Sequence, residues 1–134
     1  MEAKGKLTYS VEIYTALRVM KNKFKEAGLQ LDTRYIDYYG ELCPRCGVPF
    51  KVYRNEVKDA ATVSAFLNME QQKGIAYCLC KKCVRGMSAF TATKDARITE
   101  ERVFEKIPDL RRSKKPSRSV IELEKRILRK IYGF

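Results

Sequence analysis

The sequence predicts an α+β fold: a small β core carrying an inserted helix, with an amphipathic helix before it and helices after it. Three observations carry that expectation. Apolar residues recur at helical spacing near both ends, short alternating segments lie between them, and two tight cysteine pairs stand mid-chain. The 134 residues suit one compact unit with flanks, and 45% hydrophobic content argues against wholesale disorder.

Val11, Tyr14, Leu17, Met20 and Phe24 share one helical face, and Gly28 stands where a helix stops, so residues 8–27 are expected to be helical. Lys21, Lys23 and Lys25 line its later turns, where cations complement the helix dipole. Residues 29–42 read as a tyrosine-rich connector ending near Gly40. Phe50 to Tyr53 alternate as a short strand does. Val57, Ala60, Ala61, Ala65, Phe66 and Met69 suggest a helix over 57–72, closed before Gly74, and Ile75 to Leu79 a strand entering the second cysteine cluster. Ser88 to Thr93 offer a further strand. Ile98, Val103, Phe104 and Ile107 give a helix that Pro108 closes. RRSKKPSRS (111–119) reads as an exposed linker. Ser119 and Glu122 form a capping box opening a last helix that runs to about Tyr132, with Gly133 past its end. The expected division is 1–110 for the core with its N-terminal helix and 111–134 for the basic linker and final helix.

The chemistry sits in Cys43-Pro-Arg-Cys46-Gly47 and Cys78-Leu-Cys80-Lys-Lys-Cys83. A C-x₂-C turn brings two thiolates to one tetrahedral ion, and two such turns complete a Cys₄ set, so Cys43, Cys46, Cys80 and Cys83 are the expected ligands of one structural Zn²⁺. Gly47 suits a knuckle because the chain leaving it favours positive φ. Cys78 points to the same side of a strand as Cys80 and is an alternative ligand, although C-x₂-C spacing favours Cys80. An iron–sulfur cluster and a redox dithiol are competing uses; the βαβ context of a thioredoxin-like dithiol is missing. The two knuckles resemble those of zinc-ribbon and treble-clef domains over residues 43–47 and 80–83. That resemblance implies a zinc-ribbon-like core, and the long spacing between the pairs implies the inserted helix.

The chain has no histidine, which removes the commonest general base. Four cysteines leave zinc no open position for catalysis, so a binding role rather than an enzyme is expected. The charge is +12 and uneven: residues 43–86 carry eight Lys/Arg against three acids, and 111–134 nine against two. Such a balance favours polyanions. Candidate DNA or RNA contacts near the knuckles are Arg45, Lys51, Tyr53, Arg54, Lys81, Lys82 and Arg85. In the tail they are Arg111, Arg112, Lys114 and Lys115, followed by Lys125, Arg126, Arg129 and Lys130 on the polar side of the last helix. Glu124 falls inside that helix's apolar stripe and needs a cationic partner.

The leading expectation is a non-catalytic zinc protein that binds DNA or RNA through phosphate contacts. The alternative is a protein–protein adaptor or inhibitor docking on a larger nucleic-acid-processing complex. No apolar run reaches the roughly 18 residues of a membrane span, and the first residues lack a secretory signal's apolar stretch. Integral membrane association is therefore not expected, and the expected location is intracellular: cytoplasm, nucleoid or nucleus.

Overall fold

The computed structural model describes residues 5–85 and 93–132. Helix α1 spans Val11–Glu26, and the Ser10 hydroxyl caps it by accepting the Ile13 N–H at 3.3 Å. It buries Ile13, Met20 and Phe24, with Ala16 and Leu17 half-buried beside them. Val11 and Tyr14, expected on this face, are 77% and 42% exposed. Ile13 stands two and three turns before Met20 and Phe24, so the buried stripe is the one that Ile13 begins.

Strands β1 (Gln30–Asp32), β2 (Val52–Tyr53), β3 (Glu56–Val57), β4 (Ala60–Asn68) and β5 (Lys73–Cys80) make two small sheets. The larger has the order β1-β5-β4, with β5 parallel to β1 and antiparallel to β4; β2 and β3 pair as a separate hairpin. The tyrosine-rich connector thus contributes β1 and then a single π-helical turn, Tyr35–Tyr39, tied to the N-terminal segment by the Tyr9 hydroxyl, which donates to the Ile36 carbonyl at 2.6 Å.

The helix expected over 57–72 does not form: most of it is β4, and Met69 to Gln72 turn the chain into β5. The error has a physical source. Val63 to Asn68 are buried without a break, because the sheet is covered on both faces. Leu67 and Ala65 belong to the cluster of Phe24 and Leu29, while Phe66 and its partner Ile75 pack with Phe104 and Val103. A strand buried on both faces loses the period-2 signal, and its alanines mimic helical spacing. Gly74 fits the close approach of α1: a Cβ there would stand 2.5 Å from the Phe24 ring.

Helix α2 is short, Lys81–Arg85, and α3 spans Thr93–Lys106, followed by a 3₁₀ turn at Pro108–Leu110. Residues 88–92 of the strand expected at Ser88–Thr93 lie outside the described residues, and Thr93 itself opens α3. Val103, Phe104, Ile107 and Leu110 close one face of the sheet, whereas Ile98 is 38% exposed.

Helix α4 spans Arg118–Tyr132; Gly133 lies outside the described residues. Its cap is Ser117, which accepts the Val120 N–H at 3.3 Å, so the Ser119–Glu122 pair falls inside the first turn instead of opening the helix. Ile131 is buried and Ile127 and Leu128 half-buried against the core, so α4 docks on β4 and α1. The 111–119 segment is not wholly solvated. Arg112 turns inward and donates to both Glu124 oxygens at 2.8 and 2.9 Å and to the Leu67 carbonyl at 2.8 Å. Glu124 also accepts the Met69 N–H at 3.0 Å, so the cation its buried position demands is Arg112. No helix among the described residues is long and apolar enough to cross a membrane.

Candidate metal centre

The first cysteine pair is shaped by a narrow turn. Leu42 and Pro49 bridge antiparallel, the Cys43 N–H donates to the Val48 carbonyl at 3.0 Å, and the Gly47 N–H donates back to the Cys43 carbonyl at 2.6 Å. Gly47 has φ +81°, as the knuckle reading anticipates, so a residue with a Cβ would be strained there. The second pair lies where β5 becomes α2: Cys80 ends the strand and Cys83 sits one turn into the helix.

These two turns meet. Cys43 and Cys83 sulfurs are 3.6 Å apart, Cys46 and Cys80 sulfurs 3.7 Å apart, and all four lie within 4.8 Å of one another. Four sulfurs at roughly 2.3 Å from one ion stand about 3.8 Å from each other on a regular tetrahedron. The spacing therefore fits a single ion. It is far too wide for a disulfide and narrower than a polynuclear iron–sulfur cluster would set. Cys43 and Cys83 are buried, Cys80 is half-buried and Cys46 faces solvent.

Cys80, not Cys78, completes the group. Cys78 shares the strand face but is 1% exposed inside the apolar core. Burial, with the nearby Cys43 thiol, pushes its pKa up to about 12. Cys80 moves the other way. Burial opposes its thiolate, but hydrogen bonds from the Cys83 backbone and the three neighbouring thiols outweigh that and draw it down to about 7. Burial holds Cys43 and Cys83 above the ordinary thiol value. Those two buried thiols are the ones whose protons a bound cation must displace.

No protein-family model matches the chain, and no curated protein or solved structure matches it.

Two arginines brace the turns. Arg45 donates to the Cys83 carbonyl at 2.9 Å, tying one cysteine pair to the other. Arg102 of α3 donates to the Pro44 carbonyl at 2.8 Å, and its guanidinium lies where a Cβ on Gly47 would approach to 3.2 Å. The sequence reading missed Arg102; its only signal is a position flanking the Val103–Phe104 core stripe.

The structure separates the candidate nucleic-acid residues into groups. Lys81 and Lys82 are exposed between Cys80 and Cys83, Lys51 is exposed at the base of the β2–β3 hairpin, and Tyr53 and Arg54 are exposed at its tip. Arg85 closes α2, and its side chain lies outside the described residues. Arg111 and Arg112 sit at the opposite end of the β4–β5 hairpin, roughly 27 Å away at the rise of an extended strand. There Arg111 pairs with Glu101 at 2.9 Å and covers the Phe104 ring, and Arg112 is held by Glu124. Lys114 and Lys115 follow them, exposed. On α4, Arg126, Arg129 and Lys130 are exposed and Lys125 is half-buried.

Proposed function

We propose that Cys43, Cys46, Cys80 and Cys83 hold one structural Zn²⁺ and that the chain is a non-catalytic protein that binds DNA or RNA. The sulfur spacing carries the metal half: an all-thiolate set at tetrahedral distances suits zinc and leaves no open position for substrate. A pair of ligands at a strand-to-helix junction sits closer to the treble-clef than to the ribbon side of the resemblance. Thiolate ligands also favour a reducing, intracellular compartment.

Support for the nucleic-acid half is the cluster of exposed cations beside the metal turns, Lys51, Lys81 and Lys82, none of which makes an ion pair among the described residues. The exposed side of α4, with Arg126, Arg129 and Lys130, extends the basic surface. Phosphates are met by such mobile cations, while Arg45 is engaged within the fold.

Elemental analysis should find one zinc per chain. Binding of short DNA and RNA across a salt series should be steeply salt-dependent. Lys81→Glu with Lys82→Glu should keep the zinc, weaken binding to all sequences alike and flatten the slope. An adaptor role draws on Val48 and Val84, apolar residues 51% and 38% exposed beside the two turns. Absence of nucleic-acid binding, with one stoichiometric protein partner recovered, would select that reading instead.

A further inference from the structure

Between the first cysteine pair and β4, the β2–β3 hairpin ends in a two-residue turn made by Arg54 and Asn55. Both have left-handed φ, 50° and 66°. Two positive φ values are what a type I′ hairpin turn requires, and Asn-Gly meets them most easily. An arginine at the first position is an uncommon choice for this backbone. The Arg54 guanidinium lies over the Tyr53 ring, 5.2 Å from its centroid, and Tyr53 is nevertheless 61% exposed.

The tip is firmly mounted. The Asn55 carbonyl accepts the Thr8 N–H at 2.7 Å, and the Val57 N–H donates to the Thr8 carbonyl at 2.9 Å. At its base the Lys58 N–H donates to the Lys51 carbonyl at 2.8 Å, and the Lys51 N–H to the Asp59 carboxylate at 2.7 Å. One residue further, Ala60 pairs with the metal-ligand position Cys80. The hairpin therefore holds an aromatic ring and its guanidinium at a fixed place, on a base that runs through Ala60 to the strand ending at Cys80.

We propose that this tip is a base-stacking element for single-stranded nucleic acid: an unpaired base stacks on Tyr53 beside Arg54 while neighbouring phosphates meet Lys51, Lys81 and Lys82. The inference rests on the nucleic-acid reading above and narrows it to the strand type. In a duplex both faces of an internal base are already stacked, so a ring on a hairpin tip finds a free base face only where the strand is unpaired. The charge of residues 43–86, eight Lys/Arg against three acids, complements the backbone of that strand.

The test uses the full zinc-loaded chain, and fluorescence anisotropy with labelled single-stranded DNA and RNA of about 20 nucleotides, long enough for one such site, and with the matching DNA duplex. Tyr53→Ala is expected to weaken single-strand binding roughly 5- to 160-fold, the range for losing one stacked base, and to leave duplex binding unchanged. Its salt slope should stay that of the parent, since stacking releases no counterions. Tyr53→Phe should bind within about twofold of the parent, and the fluorescence of Tyr53→Trp should be quenched by the single strand. Circular dichroism checks that each variant is folded. If Tyr53→Ala binds single strands like the parent while the Lys81/Lys82 double variant is weakened, the stacking role falls and the nucleic-acid reading stands. Equal loss on single strand and duplex also overturns it. A parent chain that binds none of the three probes overturns both.

Discussion

Glu100 on α3 makes a prediction whose size follows from its surroundings. Its carboxylate is a quarter exposed and lies 3.8 Å from the Arg112 Nε, but Arg112 gives its two terminal nitrogens to Glu124 at 2.8 and 2.9 Å. Two carboxylates thus share one guanidinium, and Glu100 has the poorer share. Burial raises its pKa from 4.5 to about 7; Arg112 pulls it down, and Glu124 and Glu101 push it up. The folded state therefore keeps a proton that the unfolded chain has released between those two values. This contribution to stability is complete below pH 4.5 and is lost as pH rises through 7, because the unfolded state binds fewer protons across that window. At 1.36 kcal/mol per unit, the loss is about 3 kcal/mol. Glu100→Gln keeps the shape and removes the titration. Urea unfolding of both chains at several pH values from 5 to 8, with zinc in excess, gives the difference curve. Competition between protons and zinc for the thiolates is common to both chains and cancels. The variant is expected to gain on the parent steadily with pH and to be the more stable chain at pH 8. Parallel stability curves would refute the buried, protonated Glu100.

Five other substitutions test the packing and the centre. Cys43→Ser should lose the bound zinc and unfold the central region, whereas Cys78→Ala should keep the metal, at about 1 kcal/mol for the lost core volume; elemental analysis and thermal melts check both. Ile131→Ala should cost about 2–5 kcal/mol because its side chain is 6% exposed in the core, and half-buried Ile127→Ala should cost less; equal and negligible effects would mean that α4 is undocked. Gly74→Ala should destabilise by about 1–3 kcal/mol, since its methyl would force Phe24 or α1 aside, which denaturant titration will measure.

What the sequence made legible was local. The four clustered cysteines follow from two C-x₂-C turns, the positive φ of Gly47 from the knuckle it leaves, and the need for a cation at Glu124 from an acid in an apolar stripe. Helices α1, α3 and α4 follow from their periodicity, and Ile75 to Leu79 do lie in a strand. What failed depends on contacts distant in sequence. Residues 57–72 could be read as β4 only by knowing that α1 and α3 cover both faces of the sheet. Val11 and Tyr14 fit a helical stripe as well as Ile13 does, and only the sheet decides which face turns inward. Arg112 reads as one more charge in RRSKKPSRS until Glu124, Glu100 and the Leu67 carbonyl converge on it. Arg102 is invisible for the same reason: the Pro44 carbonyl it serves is a partner supplied by the fold.

The β4–β5 hairpin is fastened at its two ends by different chemistry, and this decides where free charge remains. At the turn end the fastening is ionic: Arg112 is enclosed by Glu124, Arg111 pairs with Glu101, and Ser113 is tied to Glu70 through its N–H and hydroxyl at 3.0 and 2.9 Å. Arg111 and Arg112 of the tail are engaged there within the fold, while Lys114 and Lys115 are exposed. At the other end the four cysteines cluster, and among the described residues Arg45 and Arg102 brace the backbone around them. Lys51, Lys81 and Lys82 stay at the surface there. The 28 Lys and Arg of the sequence thus overstate the cations a polyanion meets, because several are already paired inside the fold, while the net +12 already counts their acidic partners. On the proposed reading, a centre held by a metal instead of ion pairs leaves its neighbouring cations uncommitted, which is the physical reason to test the cysteine end for the binding face.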